Sequence, residues 1–157
     1  MAMKGKLQCE MEVKPSADKV YHVLRKTSHH IPNHTSKNIH GVEVHEGDWE
    51  TSGSIKNWKY TLDGKPEVLK EKMLFDDEKK LVTLIGLEGD AMKLYKVYTA
   101  KFEIKPKDVA ADGSGSGNGS IVSITVEYEK LNPSCPPPYK YLDFLESAFQ
   151  DITEAVA

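Results

Sequence analysis

The segment 136–156 constrains the fold more than any other part of the chain. Its apolar residues recur at steps of three and four, which places them on one face of a helix. That face consists of Leu142, Leu145, Phe149, Ile152 and Val156, widened by Tyr141, Phe144 and Ala148. Three prolines at 136–138 cannot continue a strand and fix where the helix begins. Such a helix needs a large apolar surface to lie on, which the upstream chain must supply.

The N-terminal part of the chain predicts one strand followed by two short helices. Residues 7–14 alternate apolar and polar side chains, as in a strand with one buried face. A helix opens after Pro15, with Ser16 as its candidate cap. Residues 27–33 predict a second short helical turn, ended by Pro32.

Between residues 38 and 128 the pattern changes to six strand-like segments joined by turn sequences. Asp63-Gly64 is a strong hairpin signal, and the glycine- and serine-rich segment 107–119 predicts a flexible surface loop. Short connections between successive strands imply antiparallel neighbours. The predicted fold class is therefore α+β: a curved seven-stranded antiparallel sheet wrapped around the long C-terminal helix, within a single domain spanning residues 1–157.

The interior of such a fold can be filled or hollow. A curved sheet and one helix can leave a cavity between them, but an ordinary packed core fits the same alternation. The side chains predicted to face the helix are Trp58, Tyr60, Leu69, Glu71, Met73, Val82, Leu84, Tyr98, Ala100, Phe102, Val122, Ile124 and Val126. A local bulge in its strand would turn Glu71 outward, so both orientations of that side chain stay open.

Composition narrows the function classes. A net charge of -3 and a pI near 6.1 provide no basic surface for nucleic acid or an anionic membrane. The start of the chain has no long apolar core, which argues against a signal peptide or a membrane anchor and predicts a cytoplasmic protein. Cys9 and Cys135 are too few for a disulfide framework or a zinc site.

Nucleotide and metal sites are both disfavoured. The glycine-bearing loop 47–53 lacks the Gly-Lys-Ser/Thr ending of a phosphate-binding loop, which favours a structural turn. Trp49 at its tip either packs against a neighbouring loop or forms the rim of a cavity. His30 and His34 are separated by Pro32, which disrupts the helical face that a metal pair would require. We therefore expect no metal and no cofactor.

Several segments distributed over the whole chain together resemble the major latex proteins. They are His29-His30-Ile31-Pro32, HEGDWETSGSI (45–55), NWKYTLDGK (57–65), EGDAMKLYK (88–96), SITVEYEKLN (123–132) and YLDFL (141–145). These proteins form a branch of the plant superfamily that includes the birch pollen allergen and the pathogenesis-related class ten proteins. The resemblance implies the helix-grip, START-like fold, whose sheet and C-terminal helix enclose a hydrophobic cavity.

The resemblance also implies a function, namely binding, carrying or sensing a lipid, sterol, hormone or other plant metabolite, with a role in defence or stress. We expect a cavity of at least several hundred Å³, the usual size of a ligand site. The expected ligand-binding residues are Ile31, Trp58, Tyr60, Glu71, Met73, Leu84, Tyr98, Phe102, Tyr141, Leu142, Leu145 and Phe149. No nucleic acid and no integral membrane association are expected.

The resemblance also suggests two other functions, those of an enzyme and of a hormone receptor. A cavity-based enzyme of isomerase or lyase type would use Glu71 with Tyr98 as acid and base, although residues 120–128 contain no lysine. A hormone receptor of the abscisic acid type would need gate and latch motifs at the turns 63–67 and 88–90, and neither motif is present. Binding is therefore favoured over catalysis.

Overall fold

The computed structural model describes residues 3–107 and 119–157. These residues form seven strands and three α-helices. In chain order they are β1 (Lys4–Val13), α1 (Ala17–Arg25), α2 (Ile31–His34), β2 (Ile39–Glu46), β3 (Ser54–Leu62), β4 (Lys65–Asp76), β5 (Leu81–Gly89), β6 (Tyr95–Pro106), β7 (Ser120–Lys130) and α3 (Tyr139–Ala155). Single 3-10 turns precede α2, at Ser28–His30, and β6, at Asp90–Lys93.

The strands form one antiparallel sheet in the order β1-β7-β6-β5-β4-β3-β2. This confirms the predicted α+β helix-grip fold. The β3–β4 hairpin turns at Asp63 and Gly64, whose φ angles of 51° and 79° are those of a tight two-residue turn. Strands β2 to β7 follow one another in sequence order, each paired with the next, whereas β1 joins the sheet beside β7.

Local sequence explains most of the helix boundaries. Ser16 caps α1, because its Oγ accepts a hydrogen bond from the Lys19 amide at 3.3 Å. Pro32 was predicted to end the second helical turn. It lies instead in the first turn of α2. Proline is tolerated there because a first-turn amide has no partner within the helix. Of the predicted loop 107–119, residues 108–118 lie outside the described residues.

Helix α3 begins at Tyr139, directly after the three prolines, as predicted. It packs against β1, β3 and β7 and buries Tyr141, Ala148, Phe149 and Ile152. The rings of Phe149 and Phe102 meet edge to face, 4.7 Å apart between centroids. No helix formed by residues 3–107 and 119–157 is both long and apolar enough to cross a membrane.

Candidate functional site

A cavity of about 70 Å³ lies between the sheet and α3. Its wall is almost entirely apolar or aromatic, with one carboxyl side chain among the lining residues. That wall comprises Leu24, Ile31, Ile39, Trp58, Tyr60, Leu69, Glu71, Met73, Leu84, Tyr98, Ala100, Phe102, Tyr141, Phe144, Leu145, Ala148, Phe149 and Ile152. Strands β3 to β6 supply one side, and α1, α2 and α3 supply the other.

Most of the residues expected to bind ligand do line this cavity. They are Ile31, Trp58, Tyr60, Glu71, Met73, Leu84, Tyr98, Phe102, Tyr141, Leu145 and Phe149. Leu142, which was also expected to bind ligand, is half-buried against the core and is not among the lining residues. Successive side chains of a helix point about 100° apart, and Leu142 falls on the part of the apolar face that packs against the core beside the cavity.

The lining residues not expected from the sequence are all apolar: Leu24, Ile39, Leu69, Ala100, Phe144, Ala148 and Ile152. The strand alternation had placed Leu69 and Ala100 on the inner face, so a signal for them existed. Leu24 and Ile39 come from α1 and the start of β2, which close the cavity from the side. No local pattern indicates that these two elements meet over the sheet.

The cavity is smaller than the several hundred Å³ that we expected. Aromatic side chains occupy the space: the rings of Tyr60 and Phe144 lie 5.2 Å apart, one on the sheet and one on α3. The rings of Tyr98 and Tyr141 meet edge to face, also with 5.2 Å between their centroids. A ligand larger than a few heavy atoms therefore needs these side chains to change rotamer or α3 to shift.

A hydrogen-bonded junction joins the β3–β4 hairpin to the first turn of α3. Oε1 of Glu67 accepts hydrogen bonds from the hydroxyls of Tyr60, at 3.0 Å, and Tyr141, at 2.7 Å. Burial is the main reason that the pKa of each tyrosine is raised above its ordinary value. An exposed ion pair between Lys140 and Asp63, at 2.8 Å, links the same two elements. This junction closes one end of the cavity.

Glu71 is the carboxyl side chain of the cavity wall. It faces inward and is only 6% exposed, which decides between the two orientations that the sequence left open. Burial raises the pKa of Glu71 to about 8. The pKa of neighbouring Tyr98 is raised too, first by burial and then by the charge that Glu71 would carry. A carboxyl with this pKa is largely protonated at neutral pH.

Lys56 is a buried polar residue that the sequence did not single out. It lies on β3 two residues before the inward-facing Trp58, on the same face of the strand. Its Nζ donates to the carbonyl oxygen of Trp49 at 2.9 Å. Nζ also contacts Ser28 Oγ at 3.4 Å and Met73 Sδ at 3.2 Å. Burial lowers the pKa of Lys56 to about 8. The lysine thus ties the glycine-bearing loop to the turn before α2.

The glycine-bearing loop is a structural turn. Asp48 accepts hydrogen bonds from the amides of Glu50, at 2.9 Å, and Thr51, at 2.6 Å. The ring of Trp49 lies 5.2 Å from that of His29, so this tryptophan packs against the turn before α2 and is not part of the cavity wall. These contacts leave the loop amides engaged with protein groups.

A surface groove and a metal site are the two alternatives to the internal cavity. A hollow of about 500 Å³ lies between the end of β1 and the last turns of α3, but Glu12, Lys14, Glu146 and Glu154 line it, so it is a solvated groove. Among residues 3–107 and 119–157, no group of three or more His, Cys, Asp or Glu side chains has the arrangement of a metal site. The internal cavity is therefore the candidate site.

The chain is similar to plant proteins over almost its whole length. The model of the pathogenesis-related protein Bet v 1 family matches residues 2–157. MLP-like protein 328 of Arabidopsis thaliana is 39% identical over 156 residues, which is 99% of this chain and 98% of that protein. Major latex-like protein 151 of Panax ginseng, a crystal structure, is 33% identical, has a TM-score of 0.89 and covers 99% of both chains.

A more distant likeness concerns the fold alone. A point mutant of norcoclaurine synthase from Thalictrum flavum, solved with a transition-state analogue, is 21% identical and has a TM-score of 0.76. The match covers 99% of this chain and 96% of the synthase. The same architecture thus occurs in an enzyme.

Proposed function

Because this chain belongs to the Bet v 1 family, in its major latex protein branch, we propose that it is a cytoplasmic carrier or sensor of a hydrophobic small molecule. The observation that carries the proposal is the internal cavity, which has an apolar and aromatic wall and one carboxyl group. Residues 1–157 act as a single ligand-binding domain. The ligand is a lipid, sterol, hormone or other plant metabolite, and the role lies in defence or stress.

The wall of the cavity suits this function energetically. Each Å² of apolar surface removed from water contributes roughly 25 cal/mol, so a ligand buried among Leu84, Phe102 and Phe149 gains affinity in proportion to its apolar area. Part of that gain offsets the rearrangement of the aromatic rings that fill the cavity. Few polar groups are needed, and they determine orientation rather than most of the affinity.

The junction at Glu67 is the proposed entrance. Opening it breaks the hydrogen bond from Tyr141 to Glu67 and the ion pair between Lys140 and Asp63, and it separates the β3–β4 hairpin from α3 without unpairing any strands.

Glu67→Leu is expected to speed ligand association about 5-fold and to lower the free energy of unfolding by about 2 kcal/mol. The faster association follows from the loss of the Tyr141 hydrogen bond, which holds α3 to the hairpin. The lower stability follows from the loss of both hydrogen bonds, each contributing about 1 kcal/mol. Stopped-flow fluorescence with a hydrophobic dye measures the rate, and urea unfolding measures the stability. The matched control is Glu43→Leu on β2, which removes an exposed ion pair with Lys59 on β3. An unchanged association rate would place the entrance elsewhere.

Native mass spectrometry tests the proposed function. The purified protein is incubated with a panel of lipids and plant metabolites and then transferred to the gas phase. A carrier or sensor should retain one small molecule per chain, and the mass of that molecule should be unchanged. If no compound of the panel is retained above the level of a denatured control, the proposal is wrong.

A second candidate function is acid–base catalysis in the same cavity, of isomerase or lyase type. The observation that favours it is Glu71, a buried carboxyl whose pKa of about 8 lets it give or take a proton near neutral pH. Norcoclaurine synthase supports it only through the shared fold. In the mass-spectrometry experiment this function would appear as a time-dependent change in the mass of the small molecule.

A further inference from the structure

Two polar groups of the cavity wall have no hydrogen-bond partner among residues 3–107 and 119–157. The indole N–H of Trp58 is buried and unpaired. The carboxyl of Glu71 makes no hydrogen bond or ion pair within those residues, and burial alone determines its protonation. Buried polar groups in folded proteins are nearly always paired, because an unpaired one loses its bonds to water without replacement. The buried, unpaired indole N–H, with an unpaired carboxyl in the same wall, therefore indicates a polar atom that the protein does not supply.

The two residues lie on adjacent strands, and their side chains are on the same face of the sheet. Trp58 on β3 pairs directly with Leu69 on β4, and Glu71 is the next residue of β4 on the same face. Trp58 and Glu71 are therefore diagonal neighbours across the two strands, about 7–8 Å apart along the sheet and within reach of long side chains. Both side chains are more than nine-tenths buried, at 8% and 6% exposure, and both line the cavity.

The chemistry of the two groups selects the partner. An indole N–H only donates, so the partner must accept. A carboxyl accepts when ionised and both donates and accepts when protonated. A ligand ammonium cannot accept from the Trp58 indole, and a ligand carboxylate or carbonyl oxygen can only accept, so it fits Glu71 only while that carboxyl is protonated. A hydroxyl accepts from the indole and donates to the carboxyl, whichever protonation state Glu71 has.

We propose that Trp58 and Glu71 form a subsite for the hydroxyl group of an otherwise hydrophobic ligand, so that the protein binds hydrophobic alcohols. This inference rests on the proposed binding function. The ligand hydroxyl lies on the β3–β4 wall, and the apolar body lies against Phe102, Leu145 and Phe149. The subsite determines which end of the ligand points to the sheet.

Four naphthalenes with the same ring system test the subsite. They are 2-naphthalenemethanol, 2-methylnaphthalene, 2-naphthalenemethylamine and 2-naphthoic acid, titrated into the full-length protein at pH 7. Among the three polar compounds, the alcohol should bind most tightly. Tighter binding of the amine or the acid would overturn the assignment to a hydroxyl. If none of the four binds, both the subsite and the proposed function are contradicted, whereas binding without preference for the alcohol contradicts the subsite only.

Two substitutions assign the preference to the named groups. Trp58→Phe removes the indole N–H and keeps an aromatic ring, and Glu71→Leu removes the carboxyl. Each should weaken binding of 2-naphthalenemethanol about 10-fold, the effect of one buried hydrogen bond, and leave 2-methylnaphthalene as tight or tighter. Binding of 2-methylnaphthalene also shows that each variant keeps its cavity. An equal loss for the two compounds, or no loss for the alcohol, would overturn the proposal.

The unaltered protein provides an independent signal. The chain has two tryptophans, and only Trp58 lines the cavity. In a proton–nitrogen NMR spectrum, 2-naphthalenemethanol should move the indole resonance of Trp58 to higher frequency, because that N–H becomes hydrogen-bonded, whereas 2-methylnaphthalene should not. The Trp49 resonance serves as the internal reference. Equal displacement of the Trp58 resonance by both compounds would contradict the subsite.

Discussion

The Glu71→Leu variant is expected to be more stable than the unaltered protein, and its advantage should grow by about 3 kcal/mol between pH 5 and pH 8. Burial raises the pKa of Glu71 from an ordinary 4.5 to about 8, so the folded protein holds this proton more tightly than the unfolded chain does. The proton therefore favours folding below pH 4.5, and this contribution is lost as the pH rises through about 8. Each pKa unit corresponds to about 1.4 kcal/mol, which gives the expected size.

Urea unfolding at a series of pH values, followed by tryptophan fluorescence, measures this effect. The matched control is Glu78→Leu, in the exposed turn between β4 and β5, where the carboxylate stays in water. That variant should show no comparable growth in stability between pH 5 and pH 8. A constant difference between Glu71→Leu and the unaltered protein across this range would mean that Glu71 does not titrate in a buried site.

The Ala148→Leu variant is expected to lose ligand binding at least 100-fold while becoming about 1 kcal/mol more stable. Ala148 is 2% exposed and lines the cavity from α3. A leucine side chain at this position would therefore project into the cavity, whose volume is about 70 Å³. Filling a cavity with apolar atoms stabilises a protein, commonly by about 0.5–2 kcal/mol. The same atoms occupy the volume that a ligand would need.

Isothermal titration with 2-methylnaphthalene measures the binding loss, and this compound does not depend on the Trp58–Glu71 subsite. Ala155→Leu is the control, since it makes the same substitution on the same helix at an exposed position. It should leave affinity unchanged. If Ala148→Leu still binds the compound as tightly as the unaltered protein, the ligand does not occupy this cavity.

Much of the architecture could be predicted from local patterns. The alternation around Trp58, Met73 and Phe102 identified the inner face of the sheet, because neighbouring side chains of a strand point to opposite sides. The predicted apolar stripe of α3 contained both Leu142 and Ala148, but only Ala148 lines the cavity, and it was not among the residues expected to bind ligand. A helix presents a broad apolar face, and the sequence does not show which part of it meets empty space.

Other features depend on tertiary contacts that no local pattern reports. Glu67 accepts a hydrogen bond from Tyr141, 74 residues further along the chain, so its role emerges only when the β3–β4 hairpin meets α3. The cavity volume likewise depends on how far the ring of Phe144 reaches toward the sheet. Lys56 did carry a signal, because it alternates in phase with Trp58, but lysine in a strand is ordinarily taken as exposed.

The location of a bound ligand tests the central claim most directly. Intermolecular nuclear Overhauser effects between 2-naphthalenemethanol and the protein report protons within about 5 Å of the ligand. The cavity account predicts effects to the methyl groups of Leu84 and Leu145 and to the ring of Phe149. Effects confined to Met11 and Val13, in the solvated groove beside the end of α3, would contradict it.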